Sequence, residues 1–168
     1  MIRSRAIVLG VGFAASVLLS GAGQLPVALG SESRISLTAY LDGVAIPLED
    51  VADYFCDDYA YPVISCSRSP LVVAARSTMF SLLSSVDYVT IYDGSAYSSS
   101  FMNVSQDYPV LALIGWSDRI SSFKGRNIET GAFHTDWFNG GSTWSFCCNQ
   151  QLGTLGGYND TFSSMERT

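Results

Sequence analysis

The sequence predicts an all-β fold: a sandwich of two short-stranded sheets built from two repeats, preceded by a small α/β leading segment with one helix. Three observations carry that expectation. In the second half, aromatic and β-branched runs alternate with Gly, Asn, Ser and Asp turns about every ten residues, the pattern of antiparallel sandwich strands. Two separate blocks in that half recur at an offset of 41 or 42 residues. Hydrophobic residues make up 48% of the 168 and charged residues 14%, a composition that can bury a core and excludes a mainly disordered chain.

Residues 1–30 read as a signal peptide rather than as part of the fold. Met1 to Arg5 carries two arginines, Ala6 to Ala22 is uncharged and mostly apolar, and Ala28-Leu29-Gly30 supplies the small-x-small exit before Ser31. The apolar stretch is short for a membrane span, which needs roughly 20 residues. Export to the extracellular space is therefore expected, with no membrane contact after cleavage. Losing Arg3 and Arg5 takes the formal charge from −6 to −8. An acidic chain of this kind offers no basic face for nucleic acid and suits cations as partners.

Residues 31–86 form the leading segment. Ile35–Tyr40 alternates as a strand, Asp42-Gly43 marks a turn, Leu48–Tyr54 suits a short helix, and Val63–Cys66 reads as a second strand. The acidic stretch Glu49-Asp50, Asp53 and Asp57-Asp58 lacks calcium-loop spacing and is expected on a solvated surface. Ser69-Pro70 is a helix start. Leu71, Ala75, Met79, Leu82, Leu83 and Val86 then recur at helical spacing, predicting a helix over about 71–84 whose apolar stripe meets the core.

From residue 87 the period changes to that of strands. Tyr88–Tyr92, Val110–Trp116 and Thr143–Cys148 are the apolar runs. Tyr92-Asp-Gly-Ser-Ala-Tyr97-Ser-Ser99 aligns with Phe133-His-Thr-Asp-Trp-Phe138-Asn-Gly140, and Trp116–Ser122 aligns with Tyr158–Ser164. A repeat of this size cannot bury its apolar face alone, so two of them are expected to share one core. Trp116, Trp137 and Trp144 are expected in that core and at its corners rather than as a sugar-stacking face.

An exported chain with Cys56, Cys66, Cys147 and Cys148 is expected to hold disulfides. A Cys147–Cys148 link is the least favoured pairing. Crossed links from this pair to Cys56 and Cys66, or a Cys56–Cys66 loop, both remain open. The single histidine excludes a multi-His metal centre. A Cys–His–Asp set drawn from His134, Asp136 and Cys147 or Cys148 is discounted because exported cysteines pair, so no enzymatic activity is expected.

The aromatic-x₄-aromatic-x-Gly hairpin, followed by Asn/Asp-Asn/Asp-x-x-Ser/Thr-Ser, resembles the βγ-crystallin family over roughly residues 88–168. Phe133–Gly140 and Asn159–Ser164 match the family pattern; Ser99 and Ser117 depart from it in the first repeat. The resemblance implies a Greek-key sandwich over 87–168 and calcium sites shared between the repeats. One site would take the Arg119 carbonyl, the Ser121 hydroxyl and the Asp160 carboxylate. The other would take the Thr161 carbonyl, the Ser163 hydroxyl and the Asp118 carboxylate, with hairpin carbonyls near Asp93 and His134. Such oxygen donors are those that Ca²⁺ prefers. The implied function is a secreted calcium-binding protein with a structural or interaction role. The alternative is a secreted protease inhibitor or toxin-like protein on the same fold, acting on an extracellular protein target.

Overall fold

The computed structural model describes residues 36–85 and 87–168; the expected leader at 1–30, Ile35 and Val86 lie outside them. The leading segment begins with β1 (Thr38–Leu41) and β2 (Val44–Ile46), three residues later than the expected strand. They form a hairpin because Asp42 and Gly43 both adopt positive φ, 49° and 87°, the backbone that a two-residue turn between twisted strands requires. A 3₁₀ turn at Leu48–Asp53 buries Val51 and Ala52. β3 (Phe55–Ala60) and β4 (Val63–Ser67) follow as an antiparallel pair, and then α1 (Pro70–Leu83), with Pro70 in its first turn.

The second half supplies β5 (Val89–Gly94), β6 (Ser98–Val104), β7 (Ser122–Gly125), β8 (Gly131–His134), β9 (Thr143–Phe146), β10 (Gln151–Leu152) and β11 (Ser164–Arg167). One sheet runs β10-β7-β5-β6-β3-β4-β1-β2 and the other β11-β8-β9. The repeats exchange strands. β10 of the second repeat pairs with β7 of the first, and the Tyr108–Met165 bridge ties the first repeat to the second sheet. Phe123, Trp116 and Ile120 meet Phe133, Phe162 and Met165 in the buried space between the sheets. Phe133 sits 5.2 Å from the Phe123 ring and 5.1 Å from the Phe162 ring. Each such buried side chain contributes about 1.5–3 kcal/mol.

The leading segment extends the first sheet. β3 pairs parallel with β6, in the register Phe55–Phe101, Cys56–Met102 and Asp57–Asn103. Leu41, Val51, Ala52 and Ile64 join the same core as the repeats. The boundary read at about residue 86 is thus crossed by a continuous ladder.

Four expectations are corrected. Val110–Trp116 is not a strand: Leu111–Ile114 is a 3₁₀ turn that points Leu111 and Ile114, three residues apart, into the core. Gly115 ends it with φ of 72°, a conformation that glycine adopts without strain. The acidic stretch is not wholly solvated. Asp57 and Asp58 lie on β3 and are buried, because β3 is an interior strand. The apolar stripe of α1 does not meet the core: Leu71, Met79 and Leu82 are exposed. Val73 and Ser77 face the sheet instead, with Phe80 stacked 4.0 Å from Tyr59 and Arg76 bonded to Asp57 at 2.6 Å. The helix packs on the outer, partly polar face of the sheet, so hydrogen bonds anchor it.

The fourth correction concerns the cysteines: they pair as Cys56–Cys66, one of the two arrangements left open, and as Cys147–Cys148, the pairing least favoured from the sequence, rather than by crossed links. Antiparallel register sets Cys56 directly opposite Cys66, with Cα atoms 4.0 Å apart and both side chains buried. Cys147 and Cys148 fall in the turn after β9, exposed to solvent, where their nearest thiol is each other.

Candidate functional site

The two Asp–x–x–Ser–Ser turns meet across the pseudo-twofold relation between the repeats. Asp118 and Asp160 both have left-handed backbone, φ 56° and 53°, which their short polar side chains tolerate. The Asp118 N–H donates to the Phe162 carbonyl at 2.9 Å, and the Asp160 N–H donates to the Ile120 carbonyl at 3.1 Å. Each turn therefore holds the other by its backbone.

The side chains repeat this exchange. The Ser121 hydroxyl donates to Asp160 Oδ1 at 2.8 Å, and the Ser163 hydroxyl donates to Asp118 Oδ1 at 3.3 Å. Both serines are buried while both carboxylates reach solvent. Ser121 N–H bonds the Tyr92 carbonyl at 2.9 Å, and Ser163 N–H bonds the His134 carbonyl at 2.8 Å, so each serine is fixed against a hairpin strand. The Thr161 hydroxyl turns back to the Tyr158 carbonyl at 2.9 Å.

Arg119 does not point toward Asp160. Its guanidinium takes both oxygens of Asp93, at 3.0 and 3.3 Å, and Asp53 at 2.9 Å. These carboxylates hold its pKa above the ordinary arginine value, with the Asp93 hydrogen bond the largest cause. The positive charge on the loop is thus paired with the 3₁₀ turn and β5 rather than set against the Asp160 oxygens.

Several contributors were not read from the sequence. The second serine of each pair clamps its own hairpin. Ser122 donates to the Gly94 carbonyl at 2.7 Å and accepts from Tyr97 N–H; Ser164 donates to the Asp136 carbonyl at 2.6 Å and accepts from Asn139 N–H. Asn159 Nδ2 donates to Asp160 Oδ2 at 2.6 Å. A cavity of about 380 Å³ opens beside Ser163 and is bordered by Asp136 and Trp137. By their bonds to the second serines, Asp136 occupies the place of Gly94 in the first repeat, so the two sites differ in nearby charge; the aligned hairpins set Asp136 against Ser95, one residue off this equivalence. Trp116 is buried as expected, but Trp137 is largely exposed on its hairpin.

Solved structures similar to this chain match it over about half of its length. They are βγ-crystallin domains. An archaeal βγ-crystallin is 17% identical with a TM-score of 0.44, over 49% of this chain and 99% of its own. A domain from Flavobacterium johnsoniae is 22% identical with a TM-score of 0.43, over 48% of this chain and 92% of its own. One from Ciona intestinalis is 14% identical with a TM-score of 0.44, over 48% and 99%. No family model and no curated protein matches the chain. The likeness to βγ-crystallin domains is one of fold and spans about half of this chain.

The donor set of the βγ-crystallin-like turns suits a hard cation. Each turn brings a hydroxyl oxygen against a carboxylate of the other, and neither Asp118 nor Asp160 enters an ion pair among the described residues. No group of three His, Cys, Asp or Glu side chains converges among the described residues, so backbone and hydroxyl oxygens would have to supply most of any coordination shell. His134 is buried, with Nδ1 3.1 Å from the Thr143 hydroxyl and Nε2 3.4 Å from Glu166. The cysteines near it in sequence are closed into a disulfide, so they present no thiolate to it.

Proposed function

We propose that this chain is an exported, calcium-binding βγ-crystallin-like protein with a structural or interaction role and no catalytic activity. The observation that carries the reading is the reciprocal pairing of Ser121 with Asp160 and Ser163 with Asp118. Each pair joins a carboxylate from one repeat to a hydroxyl from the other, which is the sharing that two incomplete turns need to hold an ion. Asp118, Ser121, Asp160 and Ser163 would supply side-chain oxygens, and Arg119 and Thr161 backbone carbonyls. With one carboxylate in each ligand set and waters retained, affinity is modest. Export is supported by the leader pattern at 1–30 and by two disulfides, which persist in oxidising compartments.

The leading segment favours a scaffold over the inhibitor or toxin alternative. Cys56 and Cys66 are buried inside paired strands rather than at the base of an exposed loop. The test is calorimetric titration with calcium, with a melting curve in millimolar calcium against chelator. Binding heat and a raised melting temperature are expected. An unchanged melting temperature without heat would leave a βγ-crystallin-like fold whose turns serve only as turns.

A further inference from the structure

The outer face of the first sheet carries a second feature, unrelated to the Asp–Ser turns. Side chains alternate across a strand, so Val89, Ile91, Met102 and Phe123 enter the core while Tyr88, Thr90, Tyr92, Phe101 and Asn103 face outward. α1 covers the β3 side of this face through the Arg76 bonds to Asp57 and to the Ser65 carbonyl. The β5–β6 side is covered less completely: Tyr92 and Phe101 are half-buried there, over a floor of buried Thr90 and Asn103. Between helix and sheet lies a groove of about 470 Å³, within the range of ligand sites.

Its walls combine aromatic rings with polar groups already in position. Tyr92 stands 5.6 Å from Phe101, and Tyr88 closes the far end against Phe80 and Tyr59. On the floor, Thr90 donates to Asn103 Oδ1 at 2.7 Å and Asn103 Nδ2 donates to Ser77 at 2.8 Å. That row fixes the Asn103 amide while leaving its second N–H to donate.

The charge of this face runs against that of the whole. Among the described residues, Arg68, Arg76, Arg119 and Arg167 are each bonded to a carboxylate. Lys124 and Arg126 instead stand over rings of this face: Lys124 4.1 Å from Tyr97 and 5.7 Å from Tyr92, and Arg126 5.4 Å from Tyr88. No carboxylate lines the groove. A chain of formal charge −6 repels anions in general, so two cations without carboxylate partners on one aromatic face make a local exception.

We propose that this groove binds an acidic saccharide, a hydroxyl-bearing ring that carries a carboxylate. The C–H face of the ring packs on Tyr92 and Phe101, its hydroxyls meet the Thr90–Asn103 row at the floor, and its carboxylate takes the Arg126 guanidinium, with Lys124, over the Tyr92 ring outside the groove lining, adding charge nearby. Two cations are too few for nucleic acid, whose affinity comes from neutralising many phosphates. A peptide adding as a strand is excluded on this face because β5, β6 and β7 are each paired on both sides.

The test uses the full exported chain in chelator, so that its outcome is independent of the calcium reading. A trigalacturonate, its neutral methyl ester and benzoate are titrated by calorimetry. The trigalacturonate is expected to bind, and more weakly as salt rises. Arg126→Gln, at an exposed position, is expected to weaken it by about tenfold or more, since a hydrogen bond to a charged group is worth roughly 1.5–3 kcal/mol. Arg126→Lys should restore part of the loss. Equal binding of the ester, benzoate binding as tightly as the saccharide, an Arg126→Gln variant that binds like the parent, or no binding by the trigalacturonate would each overturn the proposal.

Discussion

The Ser121 hydroxyl and the Asp160 carboxylate, 39 residues apart, meet at 2.8 Å, and the second repeat returns the bond from Ser163 to Asp118. The two turns are therefore halves of one assembly, and each aspartate serves the serine of the other repeat. Asp160→Ala and Asp118→Ala should each reduce the calcium-dependent rise in melting temperature while leaving the sandwich folded in chelator. An ion bound only by the folded state adds about 2.7 kcal/mol at one hundred times its Kd, so the loss is measurable. Variants with the parent's full calcium shift would remove these carboxylates from the site.

Ser122 and Ser164 are fully buried and each closes a hairpin with one donated and one accepted bond. Ser164→Ala leaves the Asp136 carbonyl and the Asn139 N–H without that partner, at a cost of about 1–3 kcal/mol. Faster amide exchange at Asn139 is expected, and at Tyr97 for Ser122→Ala. Exchange rates like the parent's would show that the hairpins hold without the clamp.

Asp58 gives a pH dependence. Burial pushes its carboxyl up to about 6, against the pull of its bonds from Ser105 N–H and the Tyr108 hydroxyl and of the Arg167 charge. A folded pKa above the unfolded one favours the protonated form. Its contribution is fully present below about pH 4 and is lost as pH rises through about 6. A shift of about two units corresponds to about 3 kcal/mol. Urea unfolding in chelator at low and neutral pH, for the parent and Asp58→Asn, isolates it: the parent should lose stability relative to the variant as pH rises. A parent–variant difference that is constant with pH would exclude Asp58 as the cause.

The two disulfides should respond differently to a dithiol reductant under native conditions. Cys147–Cys148 is exposed in a turn, whereas Cys56–Cys66 is buried between β3 and β4. Access governs exchange, so the first two thiols to appear should map to Cys147 and Cys148. Replacing both Cys56 and Cys66 by alanine should cost roughly 2–4 kcal/mol. Labelling that begins at Cys56 and Cys66 in the folded protein would contradict this order.

The duplicated blocks were legible in the sequence because local chemistry writes them. The repeated Asp–x–x–Ser–Ser turns and the apolar strand periods follow from short-range rules; the burial of the serine pairs does not. The same rules marked the Asp42-Gly43 turn, a short helical segment near Leu48–Tyr54 and the Pro70 start of α1; that the turn closes a hairpin onto β2 was not read. Contacts decided the rest. The alternation that marks a half-buried strand is absent from Phe55–Ala60, because β3 lies between two other strands and buries Asp57 and Asp58 by giving them Arg76, Ser105 and Tyr108 as partners. The stripe Leu71–Met79–Leu82 is regular, yet regularity does not say which face of a helix is covered; the sheet face beneath α1 is partly polar and selects Val73, Arg76 and Ser77. Cysteine pairing depends on register, which placed Cys56 opposite Cys66. What the sequence by itself determined was the repeat, its turns and the residues at their tips. Which turn faces which, where each aspartate is spent and which cations are left without a carboxylate were decided by the tertiary structure, because those relations join residues 26 to 66 positions apart that no local pattern connects.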